Sequence, residues 1–138
     1  MALEFTTLNW VAVIAAAVAG GVIGGIWYLP MVFGNRWAAA SGRELPSLSR
    51  LTPTMMVGAI GLPLIMAYVL TLLVGGLGGT SLVNGVVVGF VAWLGFTATA
   101  TLNGVVYEGR SWEWWMITAG FFLVTLVVMG GIIGYLGA

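Results

Sequence analysis

The stretch Trp93–Trp115, WLGFTATATLNGVVYEGRSWEWW, contains the end of one long apolar segment, a short charged turn and the start of another apolar segment. A run of polar side chains interrupts the first segment: Thr97, Thr99, Thr101 and Asn103. The stretch ends in a dense cluster of charges and tryptophans, as is typical of a membrane surface. Because the connecting turn is tight, we expect the two segments to form antiparallel helices that cross a lipid bilayer.

The composition of the whole chain excludes a water-soluble domain. Of the 138 residues, 61% are hydrophobic and 6% are charged, whereas a soluble domain carries about 25% charged residues. The absence of Cys and His excludes disulfides and the usual zinc sites and removes the commonest general base. The net charge of zero gives no basic face for nucleic acid. We expect one domain over residues 1–138, with the lipid bilayer as its solvent and with no cofactor.

Four apolar segments are long enough to span a membrane, for which about 20 residues are needed. They lie at about 9–32, 53–77, 82–107 and 112–136. Inside lipid the backbone must bond to itself, so these segments form helices despite their many glycines. The sequence therefore predicts an all-α integral membrane bundle of four transmembrane helices. A short similarity between residues 33–37 and 107–112 adds the hypothesis of two helix pairs related by a parallel repeat.

The arginines predict the orientation of the bundle. A polar loop at about 34–52 carries Arg36, Arg43 and Arg50, and Arg110 lies between the third and fourth segments. With four spans, both loops face the same side of the membrane. The positive-inside rule places them in the cytoplasm and both termini outside. In the same loop, Thr52 is expected to cap the second helix, as Ser111 is expected to cap the fourth.

Three of the segments carry small residues at four-residue spacing, which let a second helix approach closely. These candidate packing residues are Ala16, Gly20 and Gly24, then Gly85 and Gly89, and finally Gly130 and Gly134. They are compatible with packing inside one bundle and with contacts between subunits. We expect at least one such face to mediate association, either with a second copy or as an accessory subunit of a larger membrane complex.

The candidate polar cluster consists of Arg36, Asn103, Glu108 and Arg110. At 100° per residue, Asn103 falls on the face of the third helix that carries its glycines, so its amide is expected to bond across a helix contact. Glu108 lies at the end of this helix, where we expect an ion pair with Arg110, Arg36 or Arg50. A place in a polar transport pathway is the alternative for Asn103 and Glu108.

Two further features concern Trp93 and catalysis. Trp93 is too deep in the third helix for a membrane-surface anchor, so its indole N–H is expected to bond to an acceptor inside the protein.

The acidic residues, which are Glu4, Glu44, Glu108 and Glu113, do not form a nucleophile–base pair with any other side chain type present. We therefore expect no catalytic activity.

The sequence also resembles a known family. The pattern Trp27-Tyr28-x-Pro30-x-x-Phe33-Gly34-x-x-Trp37 resembles the first-helix signature of the DUF1761 family of small bacterial membrane proteins. The residues at 93–96, 102–103, 108–111 and 119–120 resemble its second-half signature. The resemblance implies a four-helix fold in the bacterial cytoplasmic (inner) membrane and, since the family's function is undefined, no particular activity. It also implies a cluster on the inner side of the membrane: Trp27, Pro30, Gly34, Trp37, Asn103, Glu108 and Arg110.

Three functions agree with these features. The first is a non-catalytic multi-pass membrane protein that associates through its glycine-rich helix faces. The second is a small permease or channel formed by several copies, in which the stripe Thr97–Thr101–Glu108 would line the pathway. The third is a membrane protein that binds a lipid or a quinone.

Overall fold

The computed structural model describes residues 5–43, 52–78 and 81–138, and these residues form helices and short connections without any strand. The α-helices are α1 (Trp10–Trp27), α2 (Asn35–Ser41), α3 (Pro53–Gly76), α4 (Leu82–Ala92), α5 (Thr99–Glu108) and α6 (Trp112–Leu136). Within the described residues, π-helical backbone forms a turn at Pro30–Gly34 and a longer segment at Trp93–Ala98.

Four helices are long and apolar enough to cross a membrane, which confirms the predicted all-α membrane bundle. The third of these is the continuous helix Leu82–Glu108, hereafter the third span, which consists of α4, the π-helical segment and α5. The predicted bounds hold within a few residues except in the first span, where α1 ends at Trp27 rather than at residue 32. Leu29 is extended there, since Pro30 disfavours a helical conformation in the residue before it.

Each span begins at a side-chain cap. The capping residues Asn9, Thr52, Ser81 and Ser111 accept hydrogen bonds from backbone N–H groups in the first turns that follow. A cap of this kind satisfies N–H groups that the helix itself leaves without a partner. The predicted caps at Thr52 and Ser111 are confirmed.

Helix α6 is the centre of the bundle and runs antiparallel to α1 and to the third span. Near its end, the carbonyl of Gly137 accepts a hydrogen bond of 2.8 Å from the Asn9 side chain, which precedes α1. Near its beginning, the carbonyl of Ile117 accepts one of 3.0 Å from the indole of Trp27, which ends α1. We call the end of the bundle at which α1 ends and α6 begins the arginine end.

The third span packs against α6 at backbone distance. A Cβ atom added to Gly85 would overlap the carbonyl oxygen of Gly130, and one added to Gly89 would overlap the carbonyl oxygen of Leu126. A Cβ atom added to Gly134 would overlap the carbonyl oxygen of Ser81. Because glycine has no side chain, the two backbones can come into van der Waals contact. In a membrane such contacts stabilise helix association, since lipid provides no hydrophobic force between helices. These glycines therefore pack inside the chain.

Helices α1 and α3 complete the core on the other side of α6. Its fully buried side chains include Val13, Ala16, Val74, Met129 and Ile133. Gly20 faces α6 as well, since an added Cβ would overlap the terminal methyl of Met129. An added Cβ on Gly24 would lie 3.5 Å from the Phe121 ring. The small residues of α1 that were singled out in the sequence thus face α6.

The π-helical segment Trp93–Ala98 changes the face that the second half of the third span presents to α6. A π-helical turn takes up about one residue more than an α-helical turn, so the face of Gly85 continues at Gly104 instead of Asn103. Gly104 is buried and Asn103 is exposed. The prediction that Asn103 bonds across a helix contact within the bundle is wrong, because it assumed a regular α-helical period throughout the span.

Candidate functional site

The turn Pro30–Gly34 builds the arginine end of the first span. The N–H of Gly34 donates to the carbonyl of Leu29 over 2.9 Å, five residues earlier. A Cβ atom at position 34 would overlap the carbonyl oxygen of Tyr28, so only glycine fits this turn without a shift of the backbone. The turn leads directly into α2, which it holds against α6.

Aromatic rings fill the space between this turn and α6. The Trp27 indole donates to the carbonyl of Ile117, and its ring centroid lies 4.6 Å from that of Phe33. The Tyr28 ring contacts Trp37 edge-on at 5.6 Å and Phe121 at 5.3 Å. Offset and edge-on contacts of this kind stabilise aromatic clusters beyond the area they bury. The family signature of the first helix is therefore a packing motif that joins α1 and α2 to α6.

The ion pair at the arginine end is between Arg36 and Glu113, whose Nε and Oε1 atoms are 3.4 Å apart. Both side chains are substantially exposed, at 66% and 49%. Glu108 is exposed and forms no ion pair within the part of the chain that the structure describes. The predicted pairing of Glu108 with Arg36 or Arg110 is wrong, because the first turn of α6, and not the end of α5, faces α2. The alternative partner Arg50 lies outside the described residues, as do Glu4 and Glu44.

Arg110 belongs to a different contact. Its guanidinium carbon lies 4.6 Å above the Trp114 ring, a cation–π arrangement. Its backbone N–H donates to the carbonyl of Gly104 over 3.0 Å and closes the end of α5, where Gly109 has a φ of 70°. The Trp114 ring packs on Gly104, where an added Cβ would lie 2.8 Å from it. Arg110 is thus anchored to the contact between α5 and α6.

The structure does not assemble the predicted polar cluster. Arg36 and Arg110 each contact a different residue of the first turn of α6. No hydrogen bond or ion pair joins either of them to Asn103 or Glu108, whose side chains are both exposed. The cluster implied by the family resemblance is likewise not assembled. Its members Trp27, Gly34 and Trp37 lie in the aromatic packing around the Pro30–Gly34 turn, apart from Asn103 and Glu108.

Two further tryptophans bind the third span to α6. The indole of Trp93 donates to the carbonyl of Ala119 over 2.8 Å, which confirms the expected internal acceptor. The indole of Trp115 donates to the carbonyl of Ala98 over 3.3 Å. An N–H group that left water without such an acceptor would cost free energy. These bonds fix the depth of the third span relative to α6.

A cavity that the sequence does not reveal lies between α1, α3 and α6 in the half of the bundle toward the arginine end. It has a volume of about 700 Å³ and is almost entirely apolar. Its lining includes glycines of α1 and α3, aromatic rings of α6 and three residues that carry a hydroxyl: Gly21, Gly25, Gly58, Phe121, Phe122, Tyr28, Thr54 and Thr125. Thr125 is 2% exposed and its hydroxyl oxygen has no hydrogen-bond partner. Composition alone cannot signal this cavity, because it depends on how α1 and α3 separate.

The fold and this arrangement of buried glycines, aromatic rings and apolar helices define a four-helix membrane protein. The chain belongs to the DUF1761 family, described as a protein of unknown function, whose family model matches residues 11–134. No curated protein and no solved structure matches the chain.

Proposed function

We propose that this protein is a non-catalytic protein of the bacterial cytoplasmic membrane that acts as a self-associated assembly, with both termini outside. Two copies would meet through the outer face of the third span. We define this outer face by Gly95, Thr99 and Asn103, which are all exposed and recur every four residues. The observation that carries the proposal is the amide of Asn103, which lies on this face and has no hydrogen bond to the described residues.

The glycines that are packed inside the bundle support this choice of surface by elimination. Gly85, Gly89, Gly130 and Gly134 already contact one another or neighbouring backbone, so they offer nothing to a second copy. Gly95 differs, because a Cβ atom added there would meet no atom within 4 Å. Small residues at four-residue spacing that remain uncovered are suited to a close contact with a helix from another chain.

The chemistry of Asn103 favours a second copy as the partner. Its side chain has no hydrogen bond in the described part of the chain, and an amide facing lipid costs free energy. Two copies in one membrane have the same orientation, so a two-fold axis along the membrane normal brings their Asn103 residues to the same depth. Each amide can then donate to and accept from the other. A pair of this kind contributes about 0.6 to 2 kcal/mol.

The alternative of a small permease receives less support. The Thr101 hydroxyl donates to the carbonyl of Thr97 over 2.7 Å, and the Thr99 hydroxyl donates to the carbonyl of Gly95 over 2.8 Å. Hydroxyls that bond to their own helix are common in membrane proteins and leave little capacity for an ion or a solute. Thr101 of the stripe Thr97–Thr101–Glu108, and the neighbouring Thr99, therefore give no argument for a transport pathway.

Cysteine cross-linking tests the proposal, since the chain has no native cysteine. Thr99→Cys should form a disulfide-linked dimer when native membranes are oxidised. Val57→Cys is the matched control, because Val57 is 71% exposed on α3, away from the outer face. Equal cross-linking of the two variants would contradict the proposal. A Thr99→Cys product that contains another protein instead would identify an accessory subunit of a larger complex.

A second experiment tests the packing. Gly95→Leu should shift the purified protein from dimer to monomer in mild detergent, because leucine fills the space that the partner helix needs. Gly61→Leu is the control, since Gly61 on α3 also has nothing within 4 Å of an added Cβ. If Gly95→Leu keeps the size of the unsubstituted protein, the outer face is not the contact.

A further inference from the structure

We propose that a groove at the arginine end binds one phospholipid whose headgroup carries both a phosphate and a primary ammonium, as in phosphatidylethanolamine. The groove lies between the Pro30–Gly34 turn, α2 and the start of α6, has a volume of about 370 Å³ and includes Arg36 and Glu113 in its lining. None of its lining residues belongs to the third span, so the site is separate from the outer face at which two copies would meet. The proposal rests on a pair of opposite charges, on their position at the membrane surface and on the apolar wall below them.

The two charges of the groove are complementary to the two charges of this headgroup. The Nε atom of Arg36 and the Oε1 atom of Glu113 are 3.4 Å apart, and both side chains are exposed, so each can still reach a ligand. A guanidinium has several N–H donors and a carboxylate has several acceptor sites, so one contact between Nε and Oε1 leaves most of this capacity available. Arg36 can donate to a phosphate, a group that arginine binds well, while Glu113 can accept from an ammonium group.

The charge balance of the groove also distinguishes between headgroups. Arg36 and Glu113 together carry no net charge, and no other described residue that lines the groove is charged. A purely anionic headgroup would bring its negative charge beside Glu113, and like charges that meet at an interface are unfavourable. A choline headgroup is cationic but has no N–H to donate to the carboxylate. An ethanolamine ammonium does donate N–H groups, as a lysine ammonium does, and therefore satisfies both residues.

The order of the lining residues along α6 has the polarity of a phospholipid. Glu113 is the second residue of this span, at its membrane-surface end, whereas Met116 and Gly120 line the groove farther along. At 1.5 Å per residue, Gly120 lies about 10 Å deeper in the bilayer than Glu113. A water-soluble ligand would have to place its body in the hydrocarbon layer, and an apolar transmembrane helix would gain nothing from the two charges. A phospholipid matches both ends of the groove.

The deeper walls of the groove suit an acyl chain. The rings of Trp27 and Phe33, with centroids 4.6 Å apart, form the wall on the side of the turn. The Trp27 ring is held in place by its hydrogen bond to the carbonyl of Ile117. On the side of α6, Met116 is 65% exposed, and a flexible thioether side chain adapts to an irregular apolar partner. One acyl chain can thus continue from the charged pair along an apolar surface.

Native mass spectrometry of the purified protein, titrated with phospholipids that differ only in their headgroups, tests the recognition. We expect phosphatidylethanolamine to bind about two- to fivefold more tightly than phosphatidylcholine, roughly the effect of one exposed charge pair, and also more tightly than phosphatidylglycerol. Glu113→Gln should abolish the preference for phosphatidylethanolamine over phosphatidylcholine. Arg36→Gln should weaken the binding of both lipids, since both carry the phosphate. Because each substitution breaks the same ion pair, a purely structural effect would change the binding of the three lipids alike in both variants.

Glu108→Gln is the matched control, because Glu108 is also an exposed carboxylate at the arginine end but does not line the groove. This variant should keep the preference of the unsubstituted protein. Equal binding of phosphatidylethanolamine and phosphatidylcholine by the unsubstituted protein would overturn the proposal. A preference that persists in Glu113→Gln would overturn it as well.

Photo-crosslinking tests the location. A phosphatidylethanolamine with a diazirine in the middle of one acyl chain is irradiated with the protein in nanodiscs, and the modified peptides are identified. We expect the adducts to concentrate at residues 27–33 and 116–120 and to decrease when unlabelled phosphatidylethanolamine is added in excess. Adducts spread evenly over the lipid-facing helices would indicate bulk bilayer lipid only. Adducts absent from these two segments would mean that another occupant covers the groove, and either result would overturn the proposal.

Discussion

Trp93 and Ala119 are joined by a hydrogen bond of 2.8 Å from an indole N–H to a backbone carbonyl, midway between the ends of the third span. The carbonyl of Ala119 belongs to a regular part of α6, so the indole is an additional donor to it. In the apolar interior, an indole without an acceptor would be costly. The bond therefore fixes the axial position of the third span relative to α6. The backbone contacts of Gly85 and Gly89 with α6 depend on that position.

Substitution of this tryptophan should weaken the bundle measurably. Trp93→Phe keeps an aromatic ring but removes the donor, and should lower the free energy of unfolding by about 1 kcal/mol. Reversible unfolding in mixed micelles, followed by circular dichroism, measures the change. Trp112→Phe serves as the control, because Trp112 is 62% exposed and its indole forms no hydrogen bond to the described residues. A similar loss in both variants would mean that ring size, rather than the hydrogen bond, matters.

The backbone contact between the third span and α6 gives a second prediction. Gly85→Ala should lower the free energy of unfolding by about 1 to 3 kcal/mol, the usual cost of overpacking, because the new methyl overlaps the carbonyl of Gly130. Gly95→Ala, on the same span but facing open space, should leave the stability of the monomer unchanged or slightly raised. The same unfolding experiment compares the two. Equal stabilities would show that the helices can separate without cost.

The features that the sequence predicted are those that depend on local chemistry. The spans follow from apolar length, and the starts at Thr52 and Ser111 follow from side chains that can cap a helix. These signals depend on a few neighbouring residues only, so they do not change with the tertiary packing of the rest of the chain.

The features that were missed depend on tertiary structure. Residues 93–98 carry no recognisable signal for the extra residue per turn of a π-helix. A regular α-helical period therefore predicted that Asn103 contacts a neighbouring helix, whereas Gly104 makes that contact with α6. The pairing of Arg36 with Glu113 instead of Glu108 depends on where α2 lies after the Pro30–Gly34 turn. The cavity at Thr125 depends on the separation of two helices, which no linear pattern encodes.

The change of register at the π-helical segment can be tested with two neighbouring residues. Gly104→Ala should lower the free energy of unfolding by about 1 to 3 kcal/mol, because the methyl would lie 2.8 Å from the Trp114 ring. Asn103→Ala should change it by less than about 0.5 kcal/mol, since its side chain is exposed. Both are measured under dilute detergent conditions that keep the protein monomeric. The opposite ranking would indicate a regular α-helix through residues 93–98.

The ion pair of Arg36 with Glu113 should contribute little to stability. Both side chains are largely exposed, and pairs of this kind contribute up to about 1 kcal/mol. Glu113→Gln should therefore destabilise the protein by a few tenths of a kcal/mol, roughly the range for exposed pairs, and added salt should reduce the difference. Glu108→Gln, which removes a carboxylate that has no ion-pair partner among the described residues, should show neither effect. A salt-sensitive loss with Glu108→Gln alone would restore the ion pair that the sequence suggested.

The orientation of the bundle is the remaining prediction, and it rests on the arginine distribution. In the sequence, all four Arg residues lie between the first and second spans or between the third and fourth spans, and the segments before the first span, between the second and third spans and after the fourth span contain no Arg or Lys. The positive-inside rule places the arginine end in the cytoplasm. The single-cysteine variants Ser47→Cys and Thr6→Cys can be exposed to a membrane-impermeant thiol reagent in intact cells. We expect labelling at position 6 before lysis and at position 47 only after lysis. The reverse pattern would place the termini inside, and it would mean that the few arginines do not control insertion.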